Sequence, residues 1–255
     1  MLNIIGARWQ QGYRTMRYPD GPPPELPVRF AGRPTVELGK CRSDCRRCAD
    51  SCPTDAVETG SDGRFASLDL GKCLFCRDCQ RACPESAIDF TREYRLAASQ
   101  REALKMTSGS EPSAVKIADE LHRILGRALR LRQVSAGGCN ACEADANVLN
   151  TVGWDLSRFG IQFVASPRHA DGLLVTGPVP GNMKLALEKT YHAVPSPKIV
   201  IAVGACAISG GPYAGHEEVC NGAGSVVPVD VMVPGCPPHP LTLLHALLSV
   251  IGRIA

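Results

Sequence analysis

Thirteen cysteines in a chain of 255 residues are the groups most able to do chemistry here. They are not spread evenly. Eight fall between Cys41 and Cys83, two sit in Gly137-Gly138-Cys139-Asn140-Ala141-Cys142-Glu143, and Cys206, Cys220 and Cys236 follow singly. Thiols two residues apart on a tight loop are the spacing of metal ligands, because neighbouring thiolates can then grip one centre. The odd count and the clustering argue against a disulfide framework and for a reducing compartment in which the thiols serve as ligands. The pair Cys139 and Cys142 is half of such a site, and Cys206 and Cys236 are candidates for the other half.

The first eight cysteines form a repeat, CRSDCRRCADSCPTDAVE followed by CLFCRDCQRACPESAIDF. Cys45, Cys48 and Cys52 recur as Cys76, Cys79 and Cys83 at a constant offset, and each copy ends in Cys-Pro-x-x-Ala, a β-branched residue and an acid. The second copy resembles the bacterial ferredoxin run C-x2-C-x2-C-x3-C-P, whose fourth cysteine serves the other cluster. Carried over, this resemblance implies one 4Fe-4S cluster on Cys41, Cys45, Cys48 and Cys83, and another on Cys73, Cys76, Cys79 and Cys52. Three residues, not two, separate Cys41 from Cys45. The insertion either bulges out or weakens Cys41 as a ligand. Zinc on four-cysteine sites is the competing reading, and the duplicated Cys-Pro endings favour iron and sulfide.

The elements around these thiols divide the chain into four parts. Residues 1–38 carry arginines among apolar residues and then the proline-rich GPPPELPVRFAGRP, which reads as an extended arm lying along a partner subunit, its arginines on acidic or lipid surfaces. Residues 39–95 hold the repeat as an α+β unit. Residues 96–134 read as a helical linker, with helical apolar spacing at 96–105 and 115–129, for example Ile117, Leu121, Ile124 and Leu125, around the breaker-rich TSGSEP. Arginines at 123, 127, 130 and 132 read as a solvated or interface face.

From 135 to 255 the pattern becomes α/β. Short β-branched runs at 161–165, 172–176, 198–203 and 229–233 read as buried strands, with helices at 144–152, 183–192 and 241–251. This alternation predicts a parallel, flavodoxin-like sheet covered on both faces. Cys206 and Cys236 fall in loops that follow strands, where such sheets bind ligands. Cys139 and Cys142 can reach the same edge.

CNACE, RFGI, SPRHADGLLVTGPV, GACAISGG and VPVDVMVPGCPPHP resemble, in order, the small electron-transfer subunit of membrane-bound nickel-iron hydrogenases of the formate-hydrogenlyase type. The same domain occurs in the complex I subunit that carries the terminal cluster. YPDGPPPELPVRFAGR resembles the segment leading into the two-cluster ferredoxin subunit of complex I. The chain is thus similar to a fusion of two subunits that are usually separate. The resemblance implies a third 4Fe-4S cluster on Cys139, Cys142, Cys206 and Cys236, hence iron through twelve cysteines. The two-residue gap between Cys139 and Cys142 matches the hydrogenases, since complex I has adjacent cysteines there.

An electron-transfer subunit of an oxidoreductase follows from the resemblance, with the active centre on a large partner subunit, further partners in a membrane arm, and an electron donor that could be soluble. The expected location is the cytoplasmic face of the inner membrane, as a peripheral part of a complex. An equivalent subunit of a nickel-free, complex-I-like enzyme is the alternative, and a zinc-stabilised scaffold is an alternative of another class. In related hydrogenases an acid near Glu143 is linked to proton movement, whereas an acid at a helix N-terminus is also favoured by the dipole. Cys220 has no ligand counterpart and reads as a free thiol. His169 and His239 read as structural.

Composition limits other functions. A net charge of +3 and 5% aromatic residues give no case for nucleic acid. No run reaches the ~20 apolar residues of a membrane helix, and the N-terminus lacks the apolar core of a standard signal peptide. GPVPGN and GACAISGG lack the lysine and serine of a phosphate loop, so no nucleotide or flavin is expected.

Overall fold

The computed structural model describes residues 2–110, 115 and 128–254. Helix α1, Leu2–Gln11, opens the chain. The expectation of an arm extended throughout is therefore corrected for its first residues. They contain no proline, and half of them (Leu2, Ala7, Arg8, Gln10 and Gln11) are good helix formers. The following residues also pack on this chain itself. The Thr15 hydroxyl donates to Val152 O, the Met16 amide to Gly153 O and Arg158 to Tyr18 O. Further on, Arg77 donates to Phe30 O and the Gly32 amide to Thr91 O, so the arm straps both units together.

The repeat forms a small unit around two short helices, α2 (Arg47–Asp50) and α3 (Asp78–Ala82). Strand β1 (Pro34–Val36) pairs antiparallel with β4 (Ile88–Phe90), and β3 (Phe65–Asp69) lies between β2 (Val57–Thr59) and β5 (Lys105–Met106). The two copies share backbone detail as well as sequence. Asp44 and Phe75, each just before the second cysteine of its copy, have positive φ of 56° and 53°, and Asp55 and Ser86 both have 49°.

The helical linker expected over 96–134 does not form where it is described. At 98 the chain pairs with an edge strand, the Ala98 amide donating to Met232 O and the Ala98 carbonyl accepting from the Met232 amide. Residues Glu102–Leu104 make one 3-10 turn before β5. Most of the helix expected over 115–129 lies outside the described residues. Its end is a strand, β6, Leu129–Ser135. Leu129, Arg130, Leu131 and Arg132 alternate at the strand period, which the reading of Arg130 and Arg132 as part of one arginine face with 123 and 127 passed over.

Five parallel strands follow the order β10-β9-β8-β6-β7, with β7 Ile161–Phe163, β8 Gly172–Thr176, β9 Ile199–Val203 and β10 Val231–Val233. The helices that follow β6, β8, β9 and β10 are α4 (Ala141–Val148), α5 (Gly181–Ala193), α6 (Ala205–Ser209) and α7 (Pro240–Val250). Alternation along each strand sorts side chains to two faces. Leu129, Leu131, Leu174, Ile201 and Val233 share a core with Ala146 and Leu149 at the end of α4 and with Leu243, Leu244 and Leu247 of α7. Leu173, Val175, Val200 and Ala202 on the other face join one core with Leu187 of α5 and with Leu68, Leu70 and Leu104 of the repeat unit. The repeat unit thus serves as part of the layer that covers the sheet.

Candidate iron-sulfur centres

The structure gathers the thiols into three groups. Cys41, Cys45, Cys48 and Cys83 line one cavity, walled by Val36, Phe65 and Ile88. The extra residue between Cys41 and Cys45 leaves the turn before the second cysteine unchanged: Asp44 keeps the left-handed φ of Phe75 in the other copy, and its amide donates to Asp62 O at 2.8 Å. Its backbone lies where a side chain on Gly63 would stand. Cys41 therefore stays on the cavity, with its sulfur accepting from the Phe65 amide at 3.4 Å. Burial pushes the Cys48 thiol up, and Cys41 and Cys83 add to the effect.

Cys73, Cys76, Cys79 and Cys52 form the second group. Burial raises Cys73, with Cys79, Cys52 and Cys76 pushing the same way. Burial followed by Cys52 and Cys76 takes Cys79 up to about 12. Backbone amides point at several sulfurs. Ala56 N donates to Cys52 Sγ and Ala87 N to Cys83 Sγ, each at 3.2 Å, and Phe75 N donates to Cys73 Sγ at 3.3 Å. The matched pair at 56 and 87 again follows the repeat. Amides aimed at sulfur are a means by which a protein sets a cluster potential.

Cys139, Cys142, Cys206 and Cys236 meet beyond the strand ends of the parallel sheet. Cys139 follows β6, Cys206 follows β9 and Cys236 follows β10. Burial, Glu143 and the thiols of Cys206, Cys236 and Cys139 push Cys142 up to about 12. Burial with Cys236 and Cys139 takes Cys206 to about 11. Cys236 is raised by burial, then by Cys139 and by Cys76, so the second and third groups come within electrostatic reach of each other.

Backbone glycines leave room at this third group. A Cβ on Gly204 would stand 2.6 Å from Cys142 Sγ, and one on Gly211 would stand 2.8 Å from Cys206 Sγ. Both glycines also have positive φ. Among the described residues no three His, Cys, Asp or Glu side chains close around a single metal ion. Four thiols in a group can each take a different iron of one cubane, and the half-buried, amide-lined donors fit 4Fe-4S clusters.

Glu143 is buried, with 6% of its surface exposed. Its Oε1 accepts from the Ser135 and Thr176 hydroxyls, each at 2.6 Å. Burial opposes its charge, but those hydrogen bonds and its own amide offset this and hold the carboxyl below its ordinary value. Ser135 and Thr176 are directly paired at the ends of β6 and β8. Sequence reading missed both, because only the register of two distant strands brings them together. It also missed Gly204 and Gly211, though GACAISGG holds them beside a ligand candidate.

Cys220 packs on the core of the sheet, and its amide donates to Val179 O. His169 is exposed. His239 caps α7, its Nδ1 accepting from the Leu241 amide at 3.1 Å, and it stacks edge-on to Phe30 and Trp154. These contacts give His239 a structural role.

The family model described as NADH ubiquinone oxidoreductase, 20 Kd subunit, matches residues 139–250, and a 4Fe-4S dicluster domain model matches residues 40–88. The probable membrane-bound hydrogenase subunit mbhJ of Pyrococcus furiosus is 38% identical over 151 residues, which cover 59% of this chain and 90% of that protein. The chain belongs to the NADH ubiquinone oxidoreductase 20 Kd subunit family. Within the family it is also similar to formate hydrogenlyase subunit 7 of Escherichia coli, at 38% identity over 56% of either chain. An NADH-quinone oxidoreductase subunit of Clostridium beijerinckii is 42% identical over 46% of this chain and 70% of its own length. Among solved structures, a chain of the archaeal membrane-bound sulfane sulfur reductase has 30% identity and a TM-score of 0.45, covering 52% of this chain and 73% of its own.

Proposed function

We propose that this chain is the iron-sulfur electron-transfer subunit of a membrane-associated nickel-iron hydrogenase complex. Three groups of four thiols, with the second within electrostatic reach of the third, are the observation that supports it. Cys41, Cys45, Cys48 and Cys83 would hold one 4Fe-4S cluster, Cys73, Cys76, Cys79 and Cys52 a second, and Cys139, Cys142, Cys206 and Cys236 a third. Bound there, the clusters would supply one-electron carriers.

The chain's own residues prepare those sites. Amides of Ala56, Phe65, Phe75 and Ala87 stabilise sulfur charge, Val36, Phe65 and Ile88 wall the first site, and Gly204 and Gly211 clear space at the third. Thiols held protonated by burial must release protons when iron binds, so loading favours higher pH. Cys139 and Cys236 are exposed while Cys142 and Cys206 are half-buried, which leaves one side of the third site open to a large catalytic subunit. The four thiols a nickel centre needs would belong to that partner. Glu143 beside Cys142 is a candidate proton-relay group, held ionised by two hydroxyls and one residue from a ligand.

The domain reading is an arm over 1–38, an α+β ferredoxin-like unit over 39–95, a connection over 96–134 and a flavodoxin-like α/β domain over 135–255. Such a chain amounts to two subunits fused. A cytoplasmic, peripheral place on the inner membrane, against membrane-arm subunits, fits relatives named as membrane-bound hydrogenase and quinone oxidoreductase parts. The 42% identity to an NADH-quinone oxidoreductase subunit favours a second reading, an equivalent subunit of a nickel-free, complex-I-like enzyme. Metal analysis of the complex that purifies with this chain separates the two. Nickel with hydrogen evolution from a reduced donor is expected. A nickel-free complex that reduces quinone would move the chain to the second reading.

A further inference from the structure

Nine large apolar side chains are exposed among the described residues, and four of them, Ile4, Ile5, Trp9 and Tyr13, lie within one stretch of ten at α1. A fifth, Val152, is on the turn that receives the Thr15 and Met16 hydrogen bonds. Scattered exposed apolar residues are ordinary, but a gathered patch marks a contact surface. Ile5 and Trp9 are one helical turn apart and share a face, with Arg8 beside them and Asn3 and Gln10 opposite.

Charge identifies the occupant. Residues 2–19 contain Arg8, Arg14 and Arg17 and no acidic residue. We infer that α1 is a membrane-surface anchor, lying flat on an anionic bilayer with Ile5 and Trp9 pressed below the headgroups and the three arginines on lipid phosphates. At ten residues the helix is ~15 Å long, too short to span a bilayer. Its length and aromatic-plus-basic make-up suit the interface plane. An apolar strip of that length and ~10 Å width covers roughly 150 Å², well below the ~800 Å² per partner of a stable protein interface.

The anchor is tied to the body. Arg158 donates to Tyr18 O at 2.7 Å and also to Met16 O, and buried Tyr18 packs edge-on to Tyr94. Lipid contact at α1 therefore orients the α/β unit relative to the bilayer. This inference rests on the membrane-associated reading above and adds the element that makes the contact.

Flotation of the full chain, purified anaerobically with its clusters, tests it. Phosphatidylcholine vesicles containing phosphatidylglycerol should carry the protein upward, pure phosphatidylcholine vesicles much less, and salt should weaken binding. Replacing Arg8, Arg14 or Arg17 with Gln should each lower partition about five-fold, and Ile5→Ser with Trp9→Ser should abolish it. In a Trp154→Phe background, Trp9 emission should shift to the blue on binding. Failure to float, or flotation untouched by these changes, overturns the anchor. So does crosslinking of Trp9 to a protein subunit in lipid-free complex. Intact cluster signals in the same samples would leave the electron-transfer reading standing while the anchor falls; missing signals would strike that reading instead.

Discussion

Replacing Gly204 with alanine should remove one cluster and spare two. The new Cβ would stand 2.6 Å from Cys142 Sγ, against ~3.5–4.0 Å for an ordinary contact, so the sulfur must withdraw by about 1 Å. Metal-ligand distances tolerate about 0.2 Å, so the displacement is several times what coordination allows. The backbone cannot easily swing away, because the Gly204 amide donates to Val233 O at 2.8 Å and Gly235 O stands 3.5 Å from the new methyl on another side. Gly204 also has φ 89° and ψ 156°, a region nearly confined to glycine, which adds about 1–3 kcal/mol of strain. Iron should fall from about twelve to about eight atoms per chain. Electron paramagnetic resonance of the reduced protein should lose one signal and keep two. Gly224→Ala, where nothing lies within 4 Å of the added methyl, is the control. Full iron and all signals in Gly204→Ala would refute Cys142 as a ligand.

Other changes should have separable effects. Cys52→Ser should remove the cluster read on Cys73, Cys76 and Cys79 while that on Cys41, Cys45 and Cys48 persists, and Cys220→Ser should leave every resonance signal unchanged. Glu143→Ala leaves the fully buried Thr176 hydroxyl without its nearer acceptor, at a cost of about 1–3 kcal/mol, read as a lowered thermal midpoint. Glu143→Gln keeps an acceptor oxygen and should hold both fold and iron, yet slow proton-linked turnover of the complex if Glu143 relays protons. Burial, with help from Arg95, lowers His245 to about 4. Its neutral form is therefore favoured in the folded state, and the stability this gives is full above the ordinary ~6.5 and lost as pH falls toward 4. Between pH 8 and 5 the loss is about 1–2 kcal/mol, allowing for partial exposure. His245→Phe keeps a ring against Tyr94 and should flatten that part of the thermal-midpoint profile.

The cysteines made much of the arrangement readable in advance. Spacing paired near neighbours such as Cys139 and Cys142, and the family resemblance implied the longer-range partners Cys83, Cys52, Cys206 and Cys236. Strands 172–176 and 199–203 were legible as well: their unbroken apolar runs are the mark of strands buried on both faces. Strand 129–135 was missed although Leu129, Arg130, Leu131 and Arg132 alternate as a half-buried strand does, because the helical spacing expected before it was carried on to 129. The Ala98–Met232 pairing was equally hidden, as it depends on the repeat unit closing over the edge of the sheet. The hold on Glu143 depends on Ser135 and Thr176, forty-one positions apart in sequence and joined only by strand register. The extra residue between Cys41 and Cys45 shows the same limit at short range. The sequence displayed it, but Cys41 stays on the cavity through contacts with the distant Asp62, Gly63 and Phe65.

Iron and acid-labile sulfide counted per chain in anaerobically purified protein test the central claim most directly. Three 4Fe-4S clusters require about twelve of each. Zinc with no sulfide would contradict the account, and about eight of each would remove the third site from it.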